Sequence, residues 1–575
     1  MERQRYKDRI KKLFRKTGAL LLRPQLWIWL YPLLLIIPNI GLAITETYPV
    51  TIKIANLLLP LGLYLVITGL FRRTGTVILC FLPIAVLCAF QIVLLFLYGE
   101  SIIAIDMFLN VVTTNAAEVA ELLGNLVNAI ITVVIIYLPP LVAAVMMLTR
   151  HKSADKAQRR PALIAGAALA AAGTLLTTVA ALTDSHARPA RQIFPFNVIC
   201  NIVSAAQRTA QSAGYHETSA DFSYDVTPTH DPAEKEIYVF VVGETSRASE
   251  WSLFGYERPT TPRLDKKDGL VGFSRTLSEV NTTHKSVPML LSNLDSHSFG
   301  DSVAVVRSIF SAFNDAGYDT HFISNQRRNG SYIDFYGQEA RNCIFLTDSG
   351  APRPDLDLTE EFNKAVRGSS ANKIFVVLHT YGSHFEYNKR YPRDMAVFTP
   401  DNNSQAEKKN RPELVNAYDN TIHYTDSLLS SLITALDKTE ARAALMYVSD
   451  HGEDIFDDER GRFLHASPVP TYQQLHVPMV LWMSKSLRAT EPEKWQAAQA
   501  NRDKDVSSSR SVFDTLMDLA GLRSRYVDSR GSLVSPSYTP LPHTYLNDYN
   551  ESVPLGESGL REPDFVELRR RGFAL

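Results

Sequence analysis

The sequence predicts a protein of two parts: an α-helical membrane domain with five transmembrane helices, followed by a soluble α/β domain. Before residue 184, apolar residues form runs long enough to cross a bilayer, whereas after it they form short runs of strand length. The chain has 575 residues, which is too long for a single hydrophobic core. We therefore expect a membrane domain over 1–184, a connector over 185–233 and a soluble domain over 234–575.

The membrane domain is predicted from five apolar runs that contain no charged residue. A helix needs about 20 apolar residues to span a bilayer, and each run is close to that length. The runs occupy 26–45, 54–71, 76–98, 126–148 and 162–183. A cleaved signal peptide is the alternative interpretation of the first run, but four further spans follow it and no small-residue cleavage site does.

Basic residues predict how the spans are oriented. Residues 3–16 contain eight Lys or Arg, and further basic residues follow the second and fourth spans. The alternate loops, 46–52 and 99–125, contain no Lys or Arg. Because loops rich in Lys and Arg remain on the cytoplasmic side, we expect a cytoplasmic N-terminus and a soluble domain on the outer side.

Loop 99–125 is apolar but contains Asn110, Thr114 and Glu118 at intervals of four residues. On a helix these three side chains share one face. Two interpretations fit this pattern: an amphipathic helix at the membrane interface with a wet side, or a polar face that contacts a lipid headgroup.

Strand-like and helix-like stretches alternate in the soluble domain, which predicts a mainly parallel sheet covered by helices. The candidate strands are Ile237–Val242, Ile374–Leu378, Ala443–Val448 and Val477–Trp482, and the candidate helices include 303–316, 412–436 and 511–520. Ligands of such sheets bind beyond the carboxyl ends of the strands. The residues that follow each strand are therefore the candidate functional residues.

Charge and cysteine content exclude several classes of protein. The formal net charge of −1 argues against a nucleic-acid-binding surface. The four cysteines form no CxxC zinc motif and are too few for a disulfide scaffold. Cys200 and Cys343 either form one disulfide or remain two free, buried thiols.

Polar side chains follow three of the predicted strands. Glu244 follows the first, His379 and His384 follow the second, and Asp450 and His451 follow the third. Carboxylate and imidazole groups without cysteine suit Zn²⁺ or Mn²⁺, although one such segment alone is more often an ordinary polar loop. A metal site that transfers phosphoryl groups also needs a hydroxyl nucleophile. Position alone does not choose among the candidates Thr245, Thr282, Thr283 and Ser286.

The stretch VVGETSRASEWSLFGYERPTTPRL at 241–264 resembles the signature of the phosphoethanolamine transferases of Gram-negative inner membranes. These include the lipid A modifying and mobile colistin-resistance enzymes. Further segments resemble the family in the same order: LNVVTTNAAEVAELL (109–123), NTTHKSVPMLLS (281–292), VVLHTYGSHFEYNKRYP (376–392) and YVSDHGED (447–454). The resemblance spans nearly the whole chain and implies five spans followed by an α/β/α domain of the alkaline-phosphatase/sulfatase type.

The resemblance also implies roles for the residues at the strand ends. Glu244, Asp450 and His451 match the family's zinc ligands. Thr283, five residues before Pro288, matches its metal-bound nucleophile, and Thr282 remains the rival. Thr245 is then a cap or turn residue beside its ligand.

Histidines and loop residues complete the implied site. His384 and His465 match catalytic groups that bind the phosphoryl oxygens or protonate the leaving group. His379 is a substrate-binding candidate, for which a buried structural histidine is the favoured interpretation. Asn110, Thr114 and Glu118 match positions that bind the ethanolamine headgroup, where Glu118 complements an ammonium by charge.

The implied activity is transfer of phosphoethanolamine from phosphatidylethanolamine to lipid A or another envelope glycan, through a covalent threonine intermediate and with release of diacylglycerol. We expect Zn²⁺ rather than Mn²⁺ as cofactor, no nucleic-acid partner, a monomer, and an inner-membrane protein with a periplasmic catalytic domain. The alternatives are a phosphoglycerol transferase or membrane sulfatase on the same scaffold, and a receptor that uses a degenerate domain to bind glycolipid.

The sequence departs from the family near the nucleophile. Glu279 and Met289 stand where family members commonly have cysteines, so the usual disulfides are missing. Asn281 stands two residues before Thr283, where the family often has Thr. These changes affect the expected substrate contacts and leave the class of chemistry unchanged.

Overall fold

The computed structural model describes residues 21–113, 126–350 and 353–575, and of 110–113 it describes the backbone alone. The chain forms two compact units. The first combines the N-terminal part through Ala104 with a segment that ends at Ser204, and the second combines a segment that begins at Ile105 with Ala205–Leu575. This division into units does not test the domain boundaries expected from the sequence, which remain a prediction.

All regular secondary structure in the described residues of the first part of the chain is helical. The helices before residue 214 are α1 Pro24–Leu35, α2 Ile37–Thr45, α3 Val50–Leu70, α4 Thr74–Cys80, α5 Leu82–Tyr98, α6 Ile105–Thr113, α7 Val127–Thr149, α8 Lys156–Thr183 and α9 Phe196–Ala213. Short helical turns of three or four residues lie between some of the later elements.

Four helical stretches are long and apolar enough to cross a membrane: Pro24–Thr45, Val50–Leu70, Val127–Thr149 and Lys156–Thr183. Helices α4 and α5 meet at a bend of 54° and make a fifth span if they cross together. Pro83 lies at the start of α5 and has no backbone N–H to continue the ladder of α4, which accounts for the break. The predicted set of five apolar helices is thus confirmed as four or five.

Glycines allow α3 and α8 to pack with their backbones close together. A Cβ atom added at Gly62 of α3 would lie 2.3 Å from the backbone nitrogen of Ala170. One added at Gly173 of α8 would lie 2.6 Å from the backbone nitrogen of Leu59. Membrane helices associate through such small residues because lipid offers no hydrophobic driving force for association.

The soluble unit contains a seven-stranded sheet. Its strands are β1 Glu236–Gly243, β2 Leu270–Phe273, β3 Asp319–Ser324, β4 Asn342–Phe345, β5 Lys373–His379, β6 Arg442–Ser449 and β7 Met479–Met483. The strand order is β2-β7-β6-β1-β5-β3-β4. Strands β6, β1, β5, β3 and β4 run parallel, whereas β7 is antiparallel to both of its neighbours.

Helices and small strand pairs surround this sheet. The helices are α10 Thr283–Leu290, α11 Ile309–Asp315, α12 Tyr332–Gln338, α13 Asp357–Gly368, α14 Arg411–Asp437, α15 Lys485–Thr490, α16 Pro492–Asn501, α17 Ser508–Leu519 and α18 Glu562–Arg570. The strand pairs join Thr227–Pro228 to Leu522–Arg523, Thr276–Leu277 to Val506–Ser507, Asp454–Ile455 to Phe463–Leu464 and Thr544–Leu546 to Ser552–Pro554. Every residue of β1 and β5 is buried, as expected for central strands with helices on both faces.

The four candidate strands and two of the three candidate helices are confirmed to within a few residues. The prediction of a helix over 303–316 was wrong at its start, because α11 begins only at Ile309. Ser308 takes an extended conformation at the N-cap, and the Ile309 N–H donates to the carbonyl oxygen of Leu291 instead of to a preceding helical turn.

All four cysteines lie in the described residues and none forms a disulfide. Cys200, for which a buried thiol was one prediction, is exposed. Glu279, which stands where the resembling family has a cysteine, is buried and accepts hydrogen bonds from the Ser509 hydroxyl and the Ser296 backbone N–H. Burial raises the pKa of Glu279 above its usual value. Hydrogen bonds thus hold this segment where a disulfide is absent.

Candidate active site

The register of the central strands brings two acidic residues together. Gly243 at the end of β1 pairs with Ser449 at the end of β6, so Glu244 and Asp450 leave the sheet side by side. Thr245 joins them, because its backbone N–H donates to Asp450 Oδ1 over 3.0 Å and its hydroxyl donates to Glu244 Oε1 over 2.6 Å. Thr245 has a left-handed backbone with φ of 60°, which suits a turn residue.

Thr283 opens α10 and faces this pair. Its Oγ1 lies 3.1 Å from His451 Nε2 and 3.4 and 3.5 Å from the two carboxylate oxygens of Glu244. The rival Thr282 occupies the N-cap of α10. Its hydroxyl is buried and makes no hydrogen bond with any described residue. Of the two threonines, the structure therefore places Thr283 among the candidate ligands.

The donor atoms in this cluster fit a divalent cation. Asp450 Oδ2 lies 3.2 Å from His451 Nε2 and is buried without a hydrogen-bond partner in the described part of the chain. Glu244 Oε1 lies 3.8 Å from the same nitrogen. An orphaned carboxylate oxygen surrounded by ligand-type atoms is costly unless a cation binds it. The four residues predicted to bind metal, Glu244, Thr283, Asp450 and His451, thus converge on one point.

The electrostatics of these buried groups also favour a bound cation. Burial, together with the charge of Asp450, raises the pKa of Glu244 well above its usual range. Burial lowers the pKa of His451 to about 4, so its imidazole is neutral at pH 7 and available as a ligand. A bound cation would offset the repulsion between the two carboxylates.

His465 lies among the candidate metal ligands, although the family resemblance implies for it a role in binding phosphoryl oxygens or in proton transfer. Glu244, His451 and His465 each offer one ligand atom within 4.8 Å of the others. The rings of His451 and His465 have centroids 4.1 Å apart, and the ring of His384 is 6.3 Å from that of His465. The structure thus brings His384 and His465 to the same edge as Thr283.

Glu453 is a site residue to which the sequence pattern assigned no role. Its Oε2 lies 3.0 Å from His465 Nδ1, and its Oε1 accepts a hydrogen bond from the Tyr387 hydroxyl. When His465 donates to Glu453 from Nδ1, its Nε2 is the nitrogen that can bind a metal or exchange a proton. The sequence feature that could have identified Glu453 is a carboxylate two residues after His451 in YVSDHGED.

Gln326 is a second residue that the pattern missed. Its amide nitrogen lies 3.4 Å from Glu244 Oε2 and donates to the Thr380 carbonyl oxygen over 2.9 Å. It follows β3, and the rule that strand ends carry functional residues could have identified it.

His379 is fully buried at the end of β5. Its Nδ1 lies 3.3 Å from the Ser324 hydroxyl, and its Nε2 has no hydrogen-bond partner in the described residues. Burial lowers the pKa of His379 to about 4, so the ring is neutral at pH 7. These surroundings match those of a buried structural histidine.

The predicted headgroup residues cannot be placed in this site. Thr114 and Glu118 lie outside the described residues, and so does the side chain of Asn110. Helix α6, which ends at Thr113 and includes the backbone of Asn110, belongs to the same compact unit as the sheet.

A cluster of carboxylate and imidazole groups beside a threonine hydroxyl, at the carboxyl edge of a mainly parallel sheet, is the arrangement expected of a phosphatase- or sulfatase-like domain. The family model described as "Sulfatase" matches residues 236–522, so the chain contains a domain of the sulfatase family over these residues.

The chain is also similar to curated proteins with a named activity. The chain is 28% identical over 336 residues to a Kdo(2)-lipid A phosphoethanolamine 7''-transferase of Escherichia coli (strain K12), an alignment that covers 54% of this chain and 58% of that protein. The chain therefore matches little more than half the length of this curated relative.

Two solved structures show the same folds. An integral membrane lipooligosaccharide phosphoethanolamine transferase A from Neisseria meningitidis is 22% identical, with a TM-score of 0.68 over 90% of this chain and 98% of that one. The C-terminal periplasmic domain of EcEptC from Escherichia coli, solved in complex with Zn, is 25% identical, with a TM-score of 0.52 over 59% of this chain and 97% of that domain. The first similarity establishes the fold of both the membrane helices and the soluble domain.

Proposed function

We propose that the chain transfers phosphoethanolamine from phosphatidylethanolamine to an envelope glycolipid and releases diacylglycerol. The observation that supports this most directly is the contact of Thr283 Oγ1 with both His451 Nε2 and Glu244. A hydroxyl group held among buried carboxylates and a neutral imidazole is the arrangement expected of a nucleophile at a metal site. The relatives named as phosphoethanolamine transferases support the identity of the transferred group.

Glu244, Asp450, His451 and Thr283 would hold the metal ion, with His465 within reach as a further ligand. We propose Zn²⁺, because the donor set is nitrogen and oxygen without sulfur and because a similar domain was solved with Zn. When bound, the ion would favour the ionised threonine hydroxyl and offset negative charge on the phosphoryl oxygens.

In the first step, Thr283 Oγ1 attacks the phosphorus of phosphatidylethanolamine. The Oγ1–P bond forms as the bond between phosphorus and the glycerol oxygen of diacylglycerol breaks. The departing oxygen needs the proton that Thr283 gave up, and His384 or His465 returns it. Glu453 holds His465 through Nδ1 and so orients the imidazole for this exchange.

In the second step, an oxygen of the acceptor attacks the phosphorus on Thr283. The Oγ1–P bond breaks and the phosphoethanolamine moves to the acceptor. His384 or His465 passes to Thr283 Oγ1 the proton that the acceptor oxygen loses, or a proton from water where the acceptor is a fully ionised phosphate. The acceptor is a lipid A phosphate or a sugar of lipopolysaccharide, because the curated relatives act on lipid A.

The apolar helices support a location in the inner membrane. The basic residues beside alternate spans support a catalytic domain in the periplasm. Phosphatidylethanolamine and the glycolipid acceptor are both membrane lipids, so a membrane-anchored enzyme meets both of them at one surface. We expect a monomer, because one chain supplies every residue that the mechanism uses.

The covalent intermediate is tested by intact-protein mass spectrometry after incubation with phosphatidylethanolamine. The zinc-loaded wild-type protein should gain one phosphoethanolamine unit, and Thr283→Ala should gain none because the nucleophilic oxygen is gone. Removal of metal by a chelator should abolish the adduct, and added Zn²⁺ should restore it.

Thr282→Ala is the matched control, since it removes the neighbouring hydroxyl from the same helix start. This variant should retain the adduct. An adduct on Thr283→Ala, or its loss from Thr282→Ala alone, would assign the nucleophile to another residue.

A further inference from the structure

A cavity beside the first turn of α10 has no role in the proposed mechanism. It encloses about 100 Å³, several times the space that one water needs. Its walls come from α6, α9, α10 and the loops before α11 and α12. Every lining residue belongs to the second compact unit.

The cavity has basic walls. Arg208, His284 and Lys285 line it, and the remaining lining residues are neutral. Among the described residues no carboxylate faces this space. This composition is that of an anion-binding site.

One buried carboxylate compensates only part of this positive charge. Asp106 Oδ2 lies 2.6 Å from Lys285 Nζ, and Asp106 Oδ1 lies 3.2 Å from Arg208 Nη1. Asp106 and Lys285 are 3% and 2% exposed. Two permanent cations thus share a single carboxylate.

Burial and the neighbouring Asp106 raise the pKa of nearby Asp548 well above its usual range, which opposes a second negative charge here. Arg208 and Lys285 thus share the Asp106 carboxylate, and an anion in the cavity would add a second negative partner for them.

His284 offers an unused hydrogen-bonding group in the cavity wall. Its side chain is 12% exposed, and neither ring nitrogen has a hydrogen-bond partner in the described part of the chain. Its Nε2 lies 3.5 Å from Asp106 Oδ1, which is too long for a good hydrogen bond. Buried polar groups are normally satisfied, so a ligand that accepts a hydrogen bond is expected here.

We propose that this cavity binds the phosphate of a phosphomonoester carried by the acceptor substrate. The inference rests on the proposed function and deepens it, because it selects a phosphate acceptor over a sugar hydroxyl. A phosphomonoester bears close to two negative charges at neutral pH and three acceptor oxygens, which match a guanidinium, an ammonium and an imidazole.

The position of the cavity favours the acceptor over the donor. The phosphorus of the donor must reach Thr283 Oγ1, which lies in the metal-type cluster with Glu244 and His451. His284 directly follows Thr283 and turns to the cavity instead. The two phosphorus-bearing groups thus have separate sites that share the first turn of α10.

The test uses the full chain in detergent after treatment with a chelator, so that phosphate cannot bind through a metal. A sugar 1-phosphate is titrated, and the rise in melting temperature gives an apparent Kd. We expect Arg208→Gln and His284→Asn each to weaken this binding about tenfold, which corresponds to one charge-assisted hydrogen bond. Arg208→Lys keeps the charge and should recover part of the affinity.

Arg525→Gln is the matched control, since Arg525 is an exposed arginine outside the cavity, and it should bind as the wild type does. Glycerophosphoethanolamine, a phosphodiester with the donor's headgroup, should give no shift that depends on Arg208. An absent shift with the sugar 1-phosphate, or one unchanged in the Arg208 and His284 variants, would overturn the proposal. An Arg208-dependent shift with the diester alone would assign the cavity to the donor and overturn it as well.

The phosphoethanolamine adduct on Thr283 separates this inference from the proposed function. If the adduct forms but the phosphate-dependent shift is absent, the cavity proposal alone fails. If the shift is present but the adduct never forms, the transferase proposal fails and the phosphate site remains.

Discussion

At the scale of single residues, buried carboxyl groups dominate the electrostatics of the soluble domain. Glu244 and Asp450 are buried side by side, and burial together with the charge of Asp450 raises the pKa of Glu244 well above its usual range. Asp106 is also a buried carboxylate, but its negative charge is compensated by the side chains of Lys285 and Arg208. The first pair is therefore a candidate cation site, whereas the negative charge of Asp106 is compensated by two cations of the chain itself.

Asp514 on α17 gives a pH dependence of stability at this scale. Burial raises the pKa of Asp514 to about 7, above the ordinary value of 3.8 that applies in the unfolded chain. Between these values the folded protein binds a proton that the unfolded chain does not, so stability falls as pH rises from about 4 to 7, by at most about 1.4 kcal/mol per pH unit.

Asp514→Asn should remove this slope, because Asn keeps the acceptor for the Asp528 backbone N–H and cannot ionise. The measurement is the melting temperature of the full chain in detergent at several pH values. Asp503→Asn, at an exposed site, is the control and should keep the wild-type slope. Parallel curves for the wild type and Asp514→Asn would contradict the assignment.

At the scale of elements, the close packing of α3 against α8 depends on glycine. Gly62→Leu would place a side chain where the backbone of Ala170 already lies, and the helices would have to separate. We expect a loss of about 2–4 kcal/mol of stability, as for strong overpacking, together with lower expression.

Thermal unfolding of the purified protein measures this effect. Ala172→Leu is the matched control, since it adds the same side chain to an exposed position on α8 and should leave the melting temperature nearly unchanged. Equal melting temperatures for Gly62→Leu and the wild type would show that the glycine contact does not stabilise the helix pair.

At the scale of the whole molecule, the distribution of basic residues predicts which segments face the cytoplasm. In a cysteine-free background, Ser370→Cys on the soluble domain should react with a membrane-impermeant thiol reagent in cells whose outer membrane is permeabilised. Ser153→Cys, between α7 and α8, should react only after the inner membrane is lysed, because its loop is basic. The reverse labelling pattern would place the catalytic domain in the cytoplasm and exclude the proposed function.

Much of the candidate site could be predicted because strand ends meet at one edge of a parallel sheet. That rule, with the family resemblance, selected Glu244, Thr283, Asp450 and His451, which the structure brings together. The rule could not place His465, because its position depends on a two-residue strand pair that folds the chain back. Leu464 pairs with Asp454 in that ribbon, which returns His465 to the ring of His451.

The sequence by itself determined the apolar spans, the central strands and the ligand types that follow them, because each depends on local periodicity and residue chemistry. Only the tertiary structure decided that α11 starts late, that Glu453 holds His465, and that Asp106 pairs with Lys285 beside a basic cavity. Those features depend on contacts between residues far apart in the chain, which no local pattern encodes.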